Sequence, residues 1–315
     1  MKQEITFSTK IKEELARQWS EKDHCQIAEL SAIVSMCGKV TIDSREKYSV
    51  KVRTENLSVA RKYFTLLRKT FNIETEVFVT TNKSNENVSY TVIVKKHEDA
   101  MKVLQASKLI DHAGEIGEEF SVVKNMILRH NCCKRAFIRG AFLAAGSMSN
   151  PEKSYHIEIV CMAMKKAEQL KSVINSFGLD AKVVGRKKSY VVYLKEGSQI
   201  VDLLNIMEAP IALMEMENIR ILKEMRNSVN RQVNCETANI RRTVTVASLQ
   251  IDSIKYIVSK RGMDFLSEDL QKVAQVRLDN PDMSLTAMVD ELCGEFSKSG
   301  IDRRLKKIVQ IAEEI

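Results

Sequence analysis

The sequence predicts an α+β fold, a pseudo-twofold tandem repeat domain followed by an all-α helix-turn-helix domain. Three observations predict it. A helix-then-strands pattern recurs at an offset of 108 residues. Three prolines and eleven glycines in 315 residues are few, which favours long helices over a turn-rich all-β fold. From Pro210 onward, strand-like alternation gives way to helical periodicity. With 44% hydrophobic and 29% charged residues, the chain has enough apolar material for real cores and is not a disordered polymer.

The first residues, Met-Lys-Gln-Glu-Ile-Thr-Phe, run into a charged helical segment without an apolar leader, and no uninterrupted apolar run is long enough to span a membrane. A cytoplasmic, nucleoid-associated protein is expected. Phe7, Ile11, Leu15 and Trp19 form an apolar stripe on the first helix, which reads as packing. Next, Leu30-Ser31-Ala32-Ile33-Val34-Ser35-Met36-Cys37-Gly38 lines up with Ile138-Arg139-Gly140-Ala141-Phe142-Leu143-Ala144-Ala145-Gly146. At 100° per residue, Leu30, Ile33, Val34 and Cys37 share a face, as do Ile138, Ala141, Phe142 and Ala145; each stripe should sit on a sheet. The opposite faces carry small residues, Cys25, Ala28 and Ala32 against Cys133, Ala136 and Gly140, so the two helices should approach closely at the pseudo-twofold axis.

β-like runs follow at Lys39 to Arg53 and Tyr155 to Val160, then helices ending near Asn72 and Gly178, residues that tolerate a left-handed cap. Strands at Glu74 to Thr80 and Ala181 to Gly185 precede Ser89 to Lys95 and Ser189 to Lys195, so each half reads α-β-β-α-β-β-α. The expected organisation is a repeat domain over 1–207, with halves at about 20–110 and 130–207, a helical connector over 208–262, and a helix-turn-helix domain over 263–315.

The double repeat resembles the LAGLIDADG homing-endonuclease fold over roughly residues 20 to 207. In active members of that family an acidic residue just before the last glycine of each motif holds a divalent metal. Those positions here are Cys37 and Ala145. Neither supplies the hard oxygen ligand that metal-assisted phosphodiester cleavage needs, and Asp43 and Glu46 nearby read as solvated turn residues. No catalytic residue and no enzyme activity are expected.

In the C-terminal third, seven basic residues between Arg226 and Arg261, among them Arg231, Arg241 and Arg242, face only Glu236 and Asp252. A solvated helix and a phosphate-contacting surface fit that balance equally. Three helices then follow: one over about Ser267 to Leu278, one capped by Ser284, and one starting near Ser297 after a tight turn at Cys293-Gly294. On the third, Ile301, Leu305, Ile308 and Ala312 point inward, while Ser299, Arg303, Lys306, Lys307 and Gln310 face away, with Ser297 and Lys298 at its start. Arg304 adds a further cation, giving residues 297–307 five positive charges against one negative. A basic outer face alone is ordinary; on the second helix of a capped pair it fits a DNA major groove. Ser297, Lys298, Ser299, Arg303, Arg304, Lys306, Lys307 and Gln310, with Arg231, Arg241 and Arg242, are the candidate DNA-binding residues.

The segment Asn230-Arg231-Gln232-Val233-Asn234-Cys235-Glu236-Thr237-Ala238-Asn239, with Ser297-Lys298-Ser299-Gly300-Ile301, Cys132-Cys133-Lys134-Arg135-Ala136 and Asn150-Pro151-Glu152-Lys153-Ser154-Tyr155-His156, resembles the WhiA family along nearly the whole chain. That resemblance implies a DNA-binding regulator with a catalytically inactive endonuclease-like domain and a C-terminal helix-turn-helix. The family is linked to sporulation, cell division and chromosome segregation. The implied partner is double-stranded DNA, in keeping with a net charge of +8, with other regulatory proteins as further partners. Oligomeric state is not set by these features. Two rival readings remain: an adaptor whose repeat domain docks a protein, and a divergent metal-dependent endonuclease.

The seven cysteines form no C-x-x-C pair and read as free thiols. Cys132-Cys133 beside His130 hints at metal, but no complementary pair at zinc spacing is found, so no metal or cofactor is expected. His24 beside Cys25 suggests a nucleophile pair only weakly, because neighbours on a helix diverge by about 100°. Basic residues of the strands, Lys51, Arg53, Lys182 and Lys195, and the turn Gly185-Arg186-Lys187-Lys188 read as backbone contacts at most.

Overall fold

The computed structural model describes residues 6–44, 46–81, 88–110, 123 and 126–315. The chain divides into two compact units, Met1–Leu222 and Lys223–Ile315. The first holds α1 (Phe7–Arg17), α2 (Asp23–Cys37), β1 (Gly38–Ile42), β2 (Tyr48–Thr54), α3 (Leu57–Phe71), β3 (Glu76–Thr81), β4 (Val88–Val94), α4 (His97–Ala106), α5 (Asn131–Ala145), β5 (Gly146–Met148), β6 (Ile157–Cys161), α6 (Met164–Asn175), β7 (Lys182–Arg186), β8 (Ser189–Leu194) and α7 (Gly197–Met207). α8 (Pro210–Arg261) begins in the first unit and ends in the second, which also holds a short 3-10 turn (Met263–Phe265), α9 (Glu268–Asp279), α10 (Leu285–Glu291) and α11 (Lys298–Glu314).

The repeat expected at an offset of 108 is real in three dimensions. Both sheets are antiparallel and share one strand order, β1-β2-β4-β3 and β5-β6-β8-β7. The register also matches, since Val52 pairs with Val92 and Ile159 with Val192. The left-handed cap falls at Asn72, with φ of 54°, as expected; α6 instead ends at Asn175 with right-handed Ser176 as its cap, and the left-handed Gly178, with φ of 85°, lies two residues further on. In the second half the first strand is only three residues long, so the β-like run at Tyr155 marks the second strand there.

The central helices are buried on both faces, as their two apolar stripes require. Leu30, Ile33, Val34, Ile138, Ala141 and Phe142 join a core that spans both halves. A Cβ on Gly140 would lie 2.4 Å from the carbonyl oxygen of Glu29 and 2.9 Å from Cβ of Ala32, so α2 and α5 meet backbone to backbone there. Between them runs a buried ion network absent from the sequence reading: Glu29 pairs with Lys62 of α3 and Arg139 of α5, and Arg139 reaches Glu208 beyond α7. Burial opposes the charge on Arg139, but Glu29 and then Glu208 outweigh it and hold the guanidinium protonated.

Helix α1 packs across the halves through Phe7, Ile11 and Leu15. Trp19 lies past its end, not on it, and its ring meets Lys62 and Lys69 at 5.5 and 4.6 Å. The Ser8 hydroxyl bonds both backbone groups of Met148 on β5, and the Glu14 carboxylate accepts from the N–H groups of Ile211 and Ala212, capping α8. The segment read as a connector is a single 52-residue helix. Ala212 and Met216 lie in the first core, Ile254 and Ile257 in the second, and Ile211, Met214 and Leu222 face solvent.

Candidate nucleic-acid interface

The second unit closes over Leu270, Val273, Ala274, Met288, Phe296, Ile301, Leu305 and Ile308, with Ala312 packed at the edge. Three local devices set its turns. Ser284 accepts from the N–H of Ala287 and starts α10. Left-handed Cys293 and Gly294, at φ of 50° and 75°, end α10 with bonds to the carbonyls of Asp290 and Val289. Ser297 accepts from the N–H of Gly300 at 3.2 Å and starts α11. Arg277, buried, donates to the carbonyls of Pro281 and Met283 and holds the link between α9 and α10.

These turns leave one face of α11 in water. Ser297, Lys298, Ser299, Arg303, Lys306, Lys307 and Gln310 are all exposed. Arg303, Lys306, Lys307 and Gln310 follow the spacing that places residues on one helical face. Two of the expected cations are already engaged. Lys306 pairs with Asp302 at 2.8 Å but stays largely in solvent. Arg304 departs from the sequence reading: its guanidinium lies 3.9 Å from the Phe296 ring centroid and pairs with Asp269 at 2.7 Å, so it belongs to the packing of α9 on α11. The spacing of Arg304, one residue on from Arg303, turns it about 100° toward the core. Lys298, Arg303 and Lys307 carry no ion pair among the described residues.

Arg231, Arg241 and Arg242 are exposed on α8. Arg242 lines one groove with Lys298, Gln250, Ser284 and Thr286; Arg231 and Arg241 lie outside it. On the sheets, Arg186 makes two bonds to Glu158, Lys182 pairs with Asp180, and Lys195 lies over Tyr193. Much of the basic character expected of the sheets is therefore met by neighbours in the same half.

At the C-terminal ends of the central helices, Cys37 donates to the carbonyl of Ile33, and Ala145 is half-buried. Burial pushes the Cys37 thiol up to about 11, against the pull of Lys12 and Lys166. Asp43 and Glu46 lie in the turn between β1 and β2, where Asp43 accepts from the N–H of Lys47. Among the described residues, no group of three or more metal-ligating side chains gathers at Cys37 and Ala145.

Such a group gathers at the other end of the helix pair. His24, Cys25, Cys132 and Cys133 bring their ligand atoms within 4.8 Å of one another. Nδ1 of His24 lies 3.1 Å from Sγ of Cys133 and 3.4 Å from Sγ of Cys25. Two pairs that lie far apart in the sequence therefore meet in the fold. Cys132-Cys133 has a complementary pair, and His24 and Cys25 do converge, because the shared contact is with Cys133 across the helix interface. The signal was present, since both pairs sit at the same 108-residue offset as the repeat.

Two LAGLIDADG-like halves followed by a helix-turn-helix unit define the class to which this chain belongs. Family models agree by segment: the WhiA N-terminal LAGLIDADG-like domain matches residues 23–110, the WhiA LAGLIDADG-like domain 134–226, and the WhiA C-terminal HTH domain 229–312. The chain belongs to the WhiA family. It is 51% identical over 310 residues to a probable cell division protein WhiA of Lachnoclostridium phytofermentans, covering 98% of this chain and 99% of the relative. The corresponding protein of Alkaliphilus oremlandii is 44% identical over 313 residues, covering 99% and 98%. The crystal structure of full-length DUF199/WhiA from Thermatoga maritima matches with a TM-score of 0.59 at 27% identity, over 98% of this chain and 99% of that one. No helix among the described residues is long and apolar enough to cross a membrane.

Proposed function

We propose that this chain binds double-stranded DNA through α11 and acts as a regulator of transcription, cell division or chromosome segregation, by binding and without cutting. The observation that carries this reading is the exposed set Lys298, Arg303 and Lys307 on the second helix of a capped pair, with Arg242 in the groove beside Lys298. An α-helix fits the major groove, arginine and lysine meet guanine edges or phosphates there, and Ser297 and Ser299 stand at a helix start that favours phosphate. The replacement of acidic positions by Cys37 and Ala145 supports binding without hydrolysis.

The test is fluorescence anisotropy of the full chain on sheared chromosomal duplex, with salt varied. Arg303→Glu combined with Lys307→Glu should abolish tight binding while the circular dichroism spectrum is kept. Neutralising both instead, as alanines, should lower the slope of log K against log salt by about 1.8 if each meets one phosphate. Unchanged affinity overturns the assignment to α11. Supercoiled plasmid with Mg²⁺ or Mn²⁺ should stay intact; specific nicking that needs an acidic residue of this chain overturns the non-enzymatic reading.

A further inference from the structure

We propose that His24, Cys25, Cys132 and Cys133 form a structural zinc site that clamps the N-terminal ends of the two central helices. Three sulfurs and one imidazole nitrogen are the donor set of a closed tetrahedral zinc centre, complete without a water or substrate. At a Zn–S distance of about 2.3 Å, ligand atoms around one ion stand about 3.8 Å apart. The four donors here already lie within 4.8 Å of one another, with nitrogen–sulfur separations of 3.1 and 3.4 Å, so modest side-chain rotation closes the shell.

The placement suits a cation-bridged thiolate cluster. His24 and Cys25 lie in the first turn of α2, and Cys132 and Cys133 in the first turn of α5, so the four donors come from two adjacent helix starts. Cys25 and Cys133 are buried against Ala28, Ala136 and Ile127, which makes the inner side dry, while exposed His24 leaves a path from solvent. His130 stands as a neighbour to the ligand histidine, with ring centroids 5.6 Å apart. The pairs are also symmetry mates, His24 matching Cys132 and Cys25 matching Cys133, so each half contributes two adjacent donors.

This site is separate from the positions where the endonuclease fold holds its metal. Cys37 and Ala145 end the same 15-residue helices, about 20 Å along the axis at 1.5 Å per residue. A soft donor set selects zinc there and does not serve Mg²⁺, so the role is to hold the halves together, and no hydrolytic step is assigned to it.

The test uses the full chain, purified with reductant from a zinc-supplemented culture, and reads bound metal by plasma mass spectrometry. About one zinc ion per chain is expected. Cys25→Ser with Cys133→Ser should remove it, and Cys235→Ser with Cys293→Ser, at exposed cysteines elsewhere, should not. Since the buried pair could fail to fold when changed, the unaltered chain is also stripped with a chelator and titrated with Co²⁺. A thiolate-to-cobalt charge-transfer band and intense tetrahedral d–d bands, both bleached by Zn²⁺, are expected, with a lower thermal midpoint for the stripped chain. Metal-free protein with no cobalt spectrum overturns the proposal, as does a disulfide among Cys25, Cys132 and Cys133 that persists in the reduced preparation. None of these readouts depends on DNA binding.

Discussion

Arg139, on the central helix of the second half, donates through Nη2 to Oε2 of Glu29 on the central helix of the first, at 3.1 Å, with both side chains at most 2% exposed. Lys62 approaches the other Glu29 oxygen at 3.2 Å and also donates to the Gln18 carbonyl. One carboxylate therefore compensates two buried cations, and Arg139 has a second anion in Glu208 at 2.6 Å. Replacing Glu29 by alanine would leave Lys62 without an anion in a dry site. The expected cost is about 3 to 5 kcal/mol of unfolding free energy, read from urea denaturation. A loss below about 1 kcal/mol would show that solvent already screens the network.

Gly140 sets how close α2 and α5 can come. In an exposed helix, changing glycine to alanine gains about 1 kcal/mol. Here the added carbon would sit 2.4 Å from the Glu29 carbonyl oxygen, a backbone atom that cannot swing aside. Overpacking of this kind costs about 1 to 3 kcal/mol, so Gly140→Ala should lower the thermal midpoint and Gly140→Val should lower it further. Calorimetry of the two variants gives the check.

How much of this was legible in the sequence depends on what kind of contact was involved. The repeat, its succession of helices and strands along the chain and the interface of small residues followed from periodicity, because each helical face must bury its own apolar stripe. Caps at Asn72 and Ser284 and the start of α11 near Ser297 were legible for a similar reason, since they are set by neighbours within a few residues. The Glu29 network was not, because a lone charge in an apolar helix carries no mark of a partner 110 residues away. The contacts of Arg304 with Phe296 and Asp269 were not legible, because charge counting weighs every cation in a run equally, although adjacent residues face different ways. The meeting of His24 and Cys25 with Cys132 and Cys133 was hidden because the pairs lie 108 residues apart and only the fold of the repeat joins them.

Arg303 faces solvent and Arg304 packs against Phe296, so alanine variants should separate them. Arg304→Ala removes the contact with the Phe296 ring and the pairing with Asp269, costing about 1 kcal/mol after allowance for the exposed carboxylate. Arg303→Ala should leave stability unchanged within about 0.5 kcal/mol and weaken duplex binding. Denaturation and anisotropy on the same two variants give the comparison. An exchange of the two effects would refute the orientation of α11.

Ser297 offers a separate handle. Ser297→Ala removes the acceptor for the Gly300 N–H and should destabilise the second unit by about 1 kcal/mol. Ser297→Asp keeps an acceptor, so its thermal midpoint should stay near that of the unaltered chain. The new negative charge at the helix start would repel phosphate, and duplex affinity should fall. Equal affinity for the aspartate variant and the unaltered chain would place the start of α11 away from the backbone of the duplex.

The lysines around Cys37 bear on what a carboxylate at that position would meet. Lys12 and Lys166 are the charged groups that act on the Cys37 sulfur, and Lys166 also donates to the carbonyl of Ser35. An aspartate introduced at position 37 would meet two ammonium groups before it met any divalent ion, and their attraction would consume the charge a metal needs. An acid placed at position 37 would therefore not by itself make an ion site. The chemistry of position 37 is therefore set as much by Lys12 and Lys166 as by the residue that occupies it.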